Sequence, residues 1–298
     1  MKIGYSVPSN QGVEDAAALV RLGKLAEELG CSSVWTSEHL FHSSYIADRL
    51  GGLPYYEPLT ILTAIAGVTS KVRLGTSVLV LPWHDPPRLG KTVATLDHLS
   101  GGRVDLGVGV ATTKDEFENL GVDFKTRGKR ANEVLGALQA LWTQAVPEFK
   151  GEFYQYSGLK FSPKPLQKPY PPILIGGSSP AAMRRIVQFG DGWHTLRQSP
   201  DEVAASFETL SGMMKQGGRD PAALQVSISS ALQFEDEANK RPAGERRSLR
   251  GTEDDVAETL QAYQTAGVQE VVVSIGSDDP AFHEAQLTRL MTKVAPRL

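Results

Sequence analysis

The sequence predicts an α/β protein folded as a (β/α)8 TIM barrel with insertions after strands 4 and 7. Three observations carry that reading. A short apolar strand, a turn and an amphipathic helix recur in the same order eight times. The 298 residues suit one barrel better than two domains of average size. The loop after the first strand reads SVPSNQG and lacks the GxGxxG expected of a doubly wound dinucleotide fold.

The units follow one another along the chain. The first strand covers Lys2 to Val7, and its helix Glu14 to Leu29. Ser33 to Thr36 is followed, after a polar and aromatic loop, by a helix from Pro58 to about Thr69. Val72 to Val80 precedes a helix from Pro86 to Leu99. Val104 to Val108 precedes one from Arg127 to Trp142, where Val134, Leu138 and Leu141 keep the 3.6-residue period. Strand 5, Ile173 to Ile175, leads to a helix from Pro180 to Phe189. Strand 6 lies near Gly192 and Trp193, with a helix from Pro200 to Lys215. Strand 7 is Gln225 to Ser229 and strand 8 Glu270 to Ser274, with helices at Glu253 to Ala266 and about Phe282 to Lys293. Pro58, Pro86, Pro180 and Pro200 stand where the first helical N–H groups lack partners anyway. Gly30 and Gly267 supply C-terminal caps.

Two segments interrupt the repeat within a single domain spanning 1–298. Residues 143–172 are rich in Pro, Gly and Tyr, yet Phe149, Phe153, Tyr154, Tyr156, Leu159 and Phe161 recur in them, which predicts an ordered excursion. Residues 234–251 are charged and too long for an ordinary connection, and read as a surface insertion or a lid.

Composition limits the function. Hydrophobic residues make up 41% and charged residues 22%, as in a soluble globular protein. A net charge of −3 favours neither nucleic acid nor an anionic membrane. The single cysteine, Cys31, excludes an internal disulfide and reads as packing. The opening MKIGYSV reads as a strand rather than a leader, and no apolar run has the length of a membrane span, so a cytoplasmic protein is expected.

In a barrel, chemistry sits on the loops after the strands. Strand 2 ends in SEHLFH, where adjacent Glu38 and His39 diverge, one toward the mouth and the other as a brace. His39 has a pKa range suited to proton transfer, and both are candidate catalytic residues. Glu38, His39 and His42 lack a fourth metal ligand by spacing, so no metal is expected. Thr76, Ser77 and Val78 end strand 3, where hydroxyls can bond a ring edge or their own backbone. Gly107 and Gly109 allow close approach of a ligand or of a neighbouring strand. Gly176, Gly177, Ser178 and Ser179 lie between a strand and a proline-led helix. They can form a phosphate cradle, or simply a tight connection with an N-cap. Trp193 can pack under that loop or on a cofactor ring, and His194 reads as a hydrogen-bonding residue of the mouth.

Along the whole chain, SEH, RLGTSVLVLPWHDP, KTVATLDHLSGGRVDLGVG, DEFENLGVDFKTRGKR, GEFYQYSGLKFSPKPLQKPYPPILIGGSSPAAMRR and DGW occur in order. Together they resemble the bacterial luciferase-like superfamily of flavin and deazaflavin oxidoreductases, most of all its coenzyme F420-dependent group. The resemblance implies a barrel, often dimeric, with the cofactor ring in the mouth. Phosphate would lie on Gly176, Gly177 and Ser178, and a backbone bulge, often with a non-proline cis peptide, at Ser77 and Val78. His39 would meet ring or substrate, and Glu38 stands where some F420 enzymes have aspartate. The chain departs from the pattern after strand 4. Ala111, Thr112 and Thr113 replace a glutamate acid of some F420 dehydrogenases, and Val110 and Ala111 replace a common tryptophan.

The expected function is hydride transfer between F420 and a small organic substrate. FMN-dependent monooxygenation, with reduced FMN from a reductase partner, is the alternative, and a non-catalytic flavin-binding homologue is the third. Phe41, Tyr45, Tyr55 and Trp83 are the expected pocket wall. A homodimer is implied by resemblance alone.

Overall fold

The computed structural model describes residues 1–298. Eight strands, β1 (Lys2–Ser6), β2 (Ser33–Thr36), β3 (Arg73–Thr76), β4 (Val104–Gly109), β5 (Ile173–Gly176), β6 (Gly192–Leu196), β7 (Gln225–Phe234) and β8 (Glu270–Ser274), form the barrel. Each pairs in parallel with the next in sequence. The ring closes where Lys2 of β1 meets Glu270 of β8. This is a closed (β/α)8 barrel. Most strand residues are buried whichever face they point to, as expected of a parallel sheet covered on both sides.

Side-chain caps define where the helices begin. Asp15 caps Ala16–Glu28, Glu57 caps Pro58–Ala66 and Asp85 caps Pro86–Ser100. Ser199 and Thr252 form full capping boxes at Pro200–Gln216 and Glu253–Thr265. A fifth proline-led helix, Pro280–Arg289, joins the four expected from sequence.

Several boundaries differ from the sequence reading. The expected third strand is two pieces, because a cis peptide joins Ser77 to Val78 and pairing resumes at Leu79–Val80 against Val108 and Gly109. The helix after β2 stops at Ala66, and β7 runs on to Phe234. Two short helices were not foreseen: Ser44–Leu50 after β2 and Lys114–Asn119 after β4. Each is too short to display a periodic apolar face.

The barrel axis is filled. Trp35, fully buried, packs with Leu174 and Val272. It fits because β3 carries glycine opposite it: a Cβ on Gly75 would lie 2.3 Å from the indole. The 143–172 excursion holds a small hairpin, Phe149–Lys150 against Gln155–Tyr156. In the 234–251 segment, Leu249–Gly251 adds in parallel to the end of β7. Arg246, 5% exposed, ties the segment to Asp255 and Thr259 of the following helix.

Candidate active site

At the C-terminal mouth, His39 occupies the loop after β2. Its Nδ1 lies 2.6 Å from Oε2 of Glu116 and its Nε2 2.6 Å from the Tyr45 hydroxyl. Both partners sit on the two unforeseen helices. Glu116 also accepts from the backbone N–H groups of Leu40 and Phe41 and from the Thr113 hydroxyl. Burial pushes the Glu116 carboxyl up, but the His39 hydrogen bond, the His39 charge and the two backbone donors outweigh it, and the net direction is downward. A carboxylate held ionised makes Nδ1 of His39 the donor, so in a neutral ring Nε2 accepts from Tyr45. Tyr45 is half-exposed, and burial together with the Glu116 charge holds its phenol above the usual range.

Aromatic rings surround this chain. Tyr45, Tyr55 and Trp83 each meet the His39 imidazole edge to face, with centroids 5.5, 5.5 and 6.1 Å away. The Trp83 indole N–H is buried without an acceptor. Phe41, expected in the wall, is 45% exposed. His42 bonds the Gly51 carbonyl at the surface.

Glu38 is a correction. Its side chain is buried, accepting from the Val80 N–H at 2.6 Å and from His84 at 2.9 Å. Both oxygens point into the packing behind the bulge. Glu38 is thus the brace of the adjacent pair and His39 the mouth residue. Burial lowers the His84 imidazole, but Glu38 more than offsets it and raises the net value.

The strand-end candidates divide in the same way. The Thr76 hydroxyl donates to the Gly107 carbonyl and is buried. A Cβ on Gly107 would lie 1.8 Å from the Thr76 oxygen, so the reason for glycine there is strand approach and not ligand approach. Val78 rests against Gly109 and Gly176, where a Cβ would come within 2.7 and 3.2 Å of its side chain. Ser77 is partly exposed at the mouth, and its hydroxyl lies 2.8 Å from Nε2 of His194.

The loop after β5 behaves differently. Gly177 has φ +94°, a conformation that side-chain-bearing residues rarely adopt. Ser179 caps Pro180–Phe189 through its side chain, and the Trp193 indole donates to the Gly177 carbonyl from beneath. The backbone N–H groups of Ser178 and Ser179 have no acceptor in the protein, and both residues are exposed. Arg185 turns away, bonding Asn132 and the Gly128 carbonyl, while Arg184 is exposed. The site therefore combines an anion-ready loop, a bulge and a His–Glu–Tyr chain, all on one rim.

Comparison with known proteins identifies the family. The family model described as luciferase-like monooxygenase matches residues 1–241. The chain belongs to that family. An uncharacterized protein of Mycobacterium tuberculosis is 32% identical over 267 residues, covering 86% of this chain and 93% of the relative. An FMNH2-dependent dimethylsulfone monooxygenase of Pseudomonas putida is 30% identical over 213 residues, 70% of this chain and 56% of that protein. The coenzyme F420-dependent tetrahydromethanopterin reductase of Methanopyrus kandleri superposes with a TM-score of 0.78 at 17% identity, covering 99% of each chain. Luciferase-like enzymes are oxidoreductases and monooxygenases, and the likeness to the reductase is one of fold.

Within this luciferase-like barrel, sequence reasoning missed Glu116. Ala111, Thr112 and Thr113 carry no acid after strand 4, but a carboxylate, Glu116, stands three residues beyond Thr113 and reaches His39. The DEFENLG motif contained it, but nothing local distinguished it from its acidic neighbours. No helix of the protein is long and apolar enough to cross a membrane.

Proposed function

We propose that this luciferase-like enzyme is a coenzyme F420-dependent oxidoreductase that moves hydride between the deazaflavin and a small organic substrate. The observation that carries the reading is the Tyr45–His39–Glu116 chain at the barrel mouth. When bound, the ring supplies or takes up the electron pair as hydride. The protein then has to hold or move one proton at the substrate, and Nε2 of His39, reached through Tyr45, is placed to do so. Glu116 fixes the tautomer and steadies positive charge on the imidazole. The unpaired N–H groups of Ser178 and Ser179 at a helix start, with Gly177 freeing the turn, fit the phosphate of such a cofactor. Ser77 and Val78, both partly exposed and joined by a cis peptide, fit the backing of a flat ring. The apolar walls of Tyr45, Tyr55 and Trp83 suit a substrate that is partly apolar or aromatic.

A second reading, FMN-dependent monooxygenation, is favoured by the 30% identity to the FMNH2-dependent enzyme of Pseudomonas putida. It calls for a reductase partner to deliver reduced FMN. Fluorescence titration of the purified protein with F420 and with FMN separates the two. Tight F420 and weak FMN binding is the expected result. The reverse preference overturns the F420 assignment in favour of the monooxygenase.

A further inference from the structure

One fully buried histidine takes no part in the chain at the mouth. His194 lies on β6 inside the barrel, its ring stacked on Trp35 at 4.8 Å between centroids and 5° between planes. Its Nε2 is 2.8 Å from the Ser77 hydroxyl, which belongs to the far side of the barrel beyond β3. Its Nδ1 is 2.8 Å from the Ser227 hydroxyl on β7. Ser77 is partly exposed at the mouth. Ser227 lines a polar cavity of about 610 Å³ at the opposite end, among Lys2, Arg73, Asp105, Gln269 and Glu270. The rest of the axis is closed by Trp35, Leu174 and Val272.

We propose that Ser227, His194 and Ser77 form a proton relay through the barrel, from the basal cavity to the back of the cofactor site. The steps balance without leaving charge inside. Ser227 gives its hydroxyl proton to Nδ1 and is reprotonated from the basal cavity. The imidazole gives its Nε2 proton to the Ser77 oxygen, and Ser77 gives its own proton to the acceptor in the mouth. One proton enters and one leaves, and the ring ends as the other neutral tautomer. The reverse passage restores it.

Two features separate this histidine from one that merely fills space. First, both nitrogens face neutral hydroxyls at the same distance, so no charge selects a tautomer. His39 is the contrast, since Glu116 fixes the proton on Nδ1. Second, burial holds the His194 imidazole down at about 4, so a neutral shuttle is the form present near pH 7. His194 and Ser227 act through Ser77 and are positioning residues.

The relay rests on the proposed function only for the nature of the acceptor, and one test needs no cofactor. In protein labelled with ¹⁵N at histidine, the two His194 nitrogens should show the averaged shifts of interconverting tautomers. Ser227→Ala should collapse them to one tautomer. A single fixed tautomer in the unsubstituted protein overturns the relay. In the cofactor-loaded enzyme, proton uptake by the bound ring after a pH jump, followed by absorbance, should slow roughly tenfold or more in Ser227→Ala. Cofactor affinity and melting temperature should stay close to those of the parent, and Ser227→Thr should restore the rate. An unchanged rate in Ser227→Ala also overturns it. If neither F420 nor FMN binds, the cofactor reading fails alone, and the ¹⁵N result still decides the relay.

Discussion

His39 and Glu116, 77 positions apart in sequence, are joined by a 2.6 Å hydrogen bond that ties the loop after β2 to the loop after β4. The bond puts the proton of a neutral imidazole on Nδ1 and leaves Nε2 as the acceptor that faces the Tyr45 hydroxyl. Replacing His39 with asparagine keeps a polar group but removes the imidazole. Turnover should fall by roughly 10² to 10⁴-fold while F420 affinity changes little. Normal turnover in His39→Asn, measured by steady-state assay, rules out the proton role.

Glu116→Gln retains the shape of the acid and removes its charge. Its carboxyl is held below the usual carboxylate range in the folded protein. The stabilisation it provides is therefore complete above the unfolded value of about 4, and is lost as pH falls through the lower folded value. The melting temperature of the parent should drop across that acid window, and Glu116→Gln should flatten the drop. Losing the charged acceptor of several part-buried donors should cost roughly 1–3 kcal/mol near neutrality. Melting curves of both proteins against pH check this.

Gly177→Ala places a side chain at φ +94°. The backbone penalty is about 1–2 kcal/mol, and relief requires the loop to move away from its anion-ready geometry. Cofactor binding should weaken about tenfold or more, with a modest loss of stability. Titration and thermal denaturation on the same preparation separate the two effects.

Gly75→Ala tests the filled axis. The new methyl would sit 2.3 Å from the Trp35 indole, which is itself fully buried. Overpacking of this kind costs about 1–3 kcal/mol. Denaturant unfolding should show a lower midpoint, and an unchanged midpoint would mean that Trp35 has room to shift.

Arg246→Met removes the cation that holds the 234–251 segment to Asp255, Thr259 and nearby carbonyls. Breaking a buried pair from one side costs about 3–5 kcal/mol. Limited proteolysis should cut first within 234–251 in the variant, and cuts elsewhere would show that the segment is held by other contacts.

Much of the fold was legible because it is repetitive. Strand and helix alternate, helices begin at Pro58, Pro86, Pro180 and Pro200, and apolar periods such as Val134–Leu138–Leu141 recur. The site was legible only in part. His39, Ser77 and Gly177 stand at strand ends, where barrel geometry directs attention. Glu116 and Tyr45 sit on helices of six and seven residues, too short for a periodic signal, and meet His39 only after folding. Adjacent Glu38 and His39 looked equivalent in sequence; which one faces inward depends on the Val80 N–H and His84 waiting behind the bulge. Thr76 and Gly107 stayed open between ligand and backbone contact in the sequence, because close approach between two strands calls for the same residues as close approach to a ligand.

Trp35, wedged across the barrel axis, has a further consequence for how such a molecule can diversify. With the proposed function, reactants meet above the tube, since side chains of β2, β5, β6 and β8 already pack across its bore. Shaving strand residues to admit a bulkier molecule would loosen the wall before it made useful room. Rebuilding the rim at Tyr45, Tyr55 or the 234–251 segment leaves the wall intact. Appetite for different molecules is thus set by the parapet, and one unaltered cylinder can stand beneath many of them.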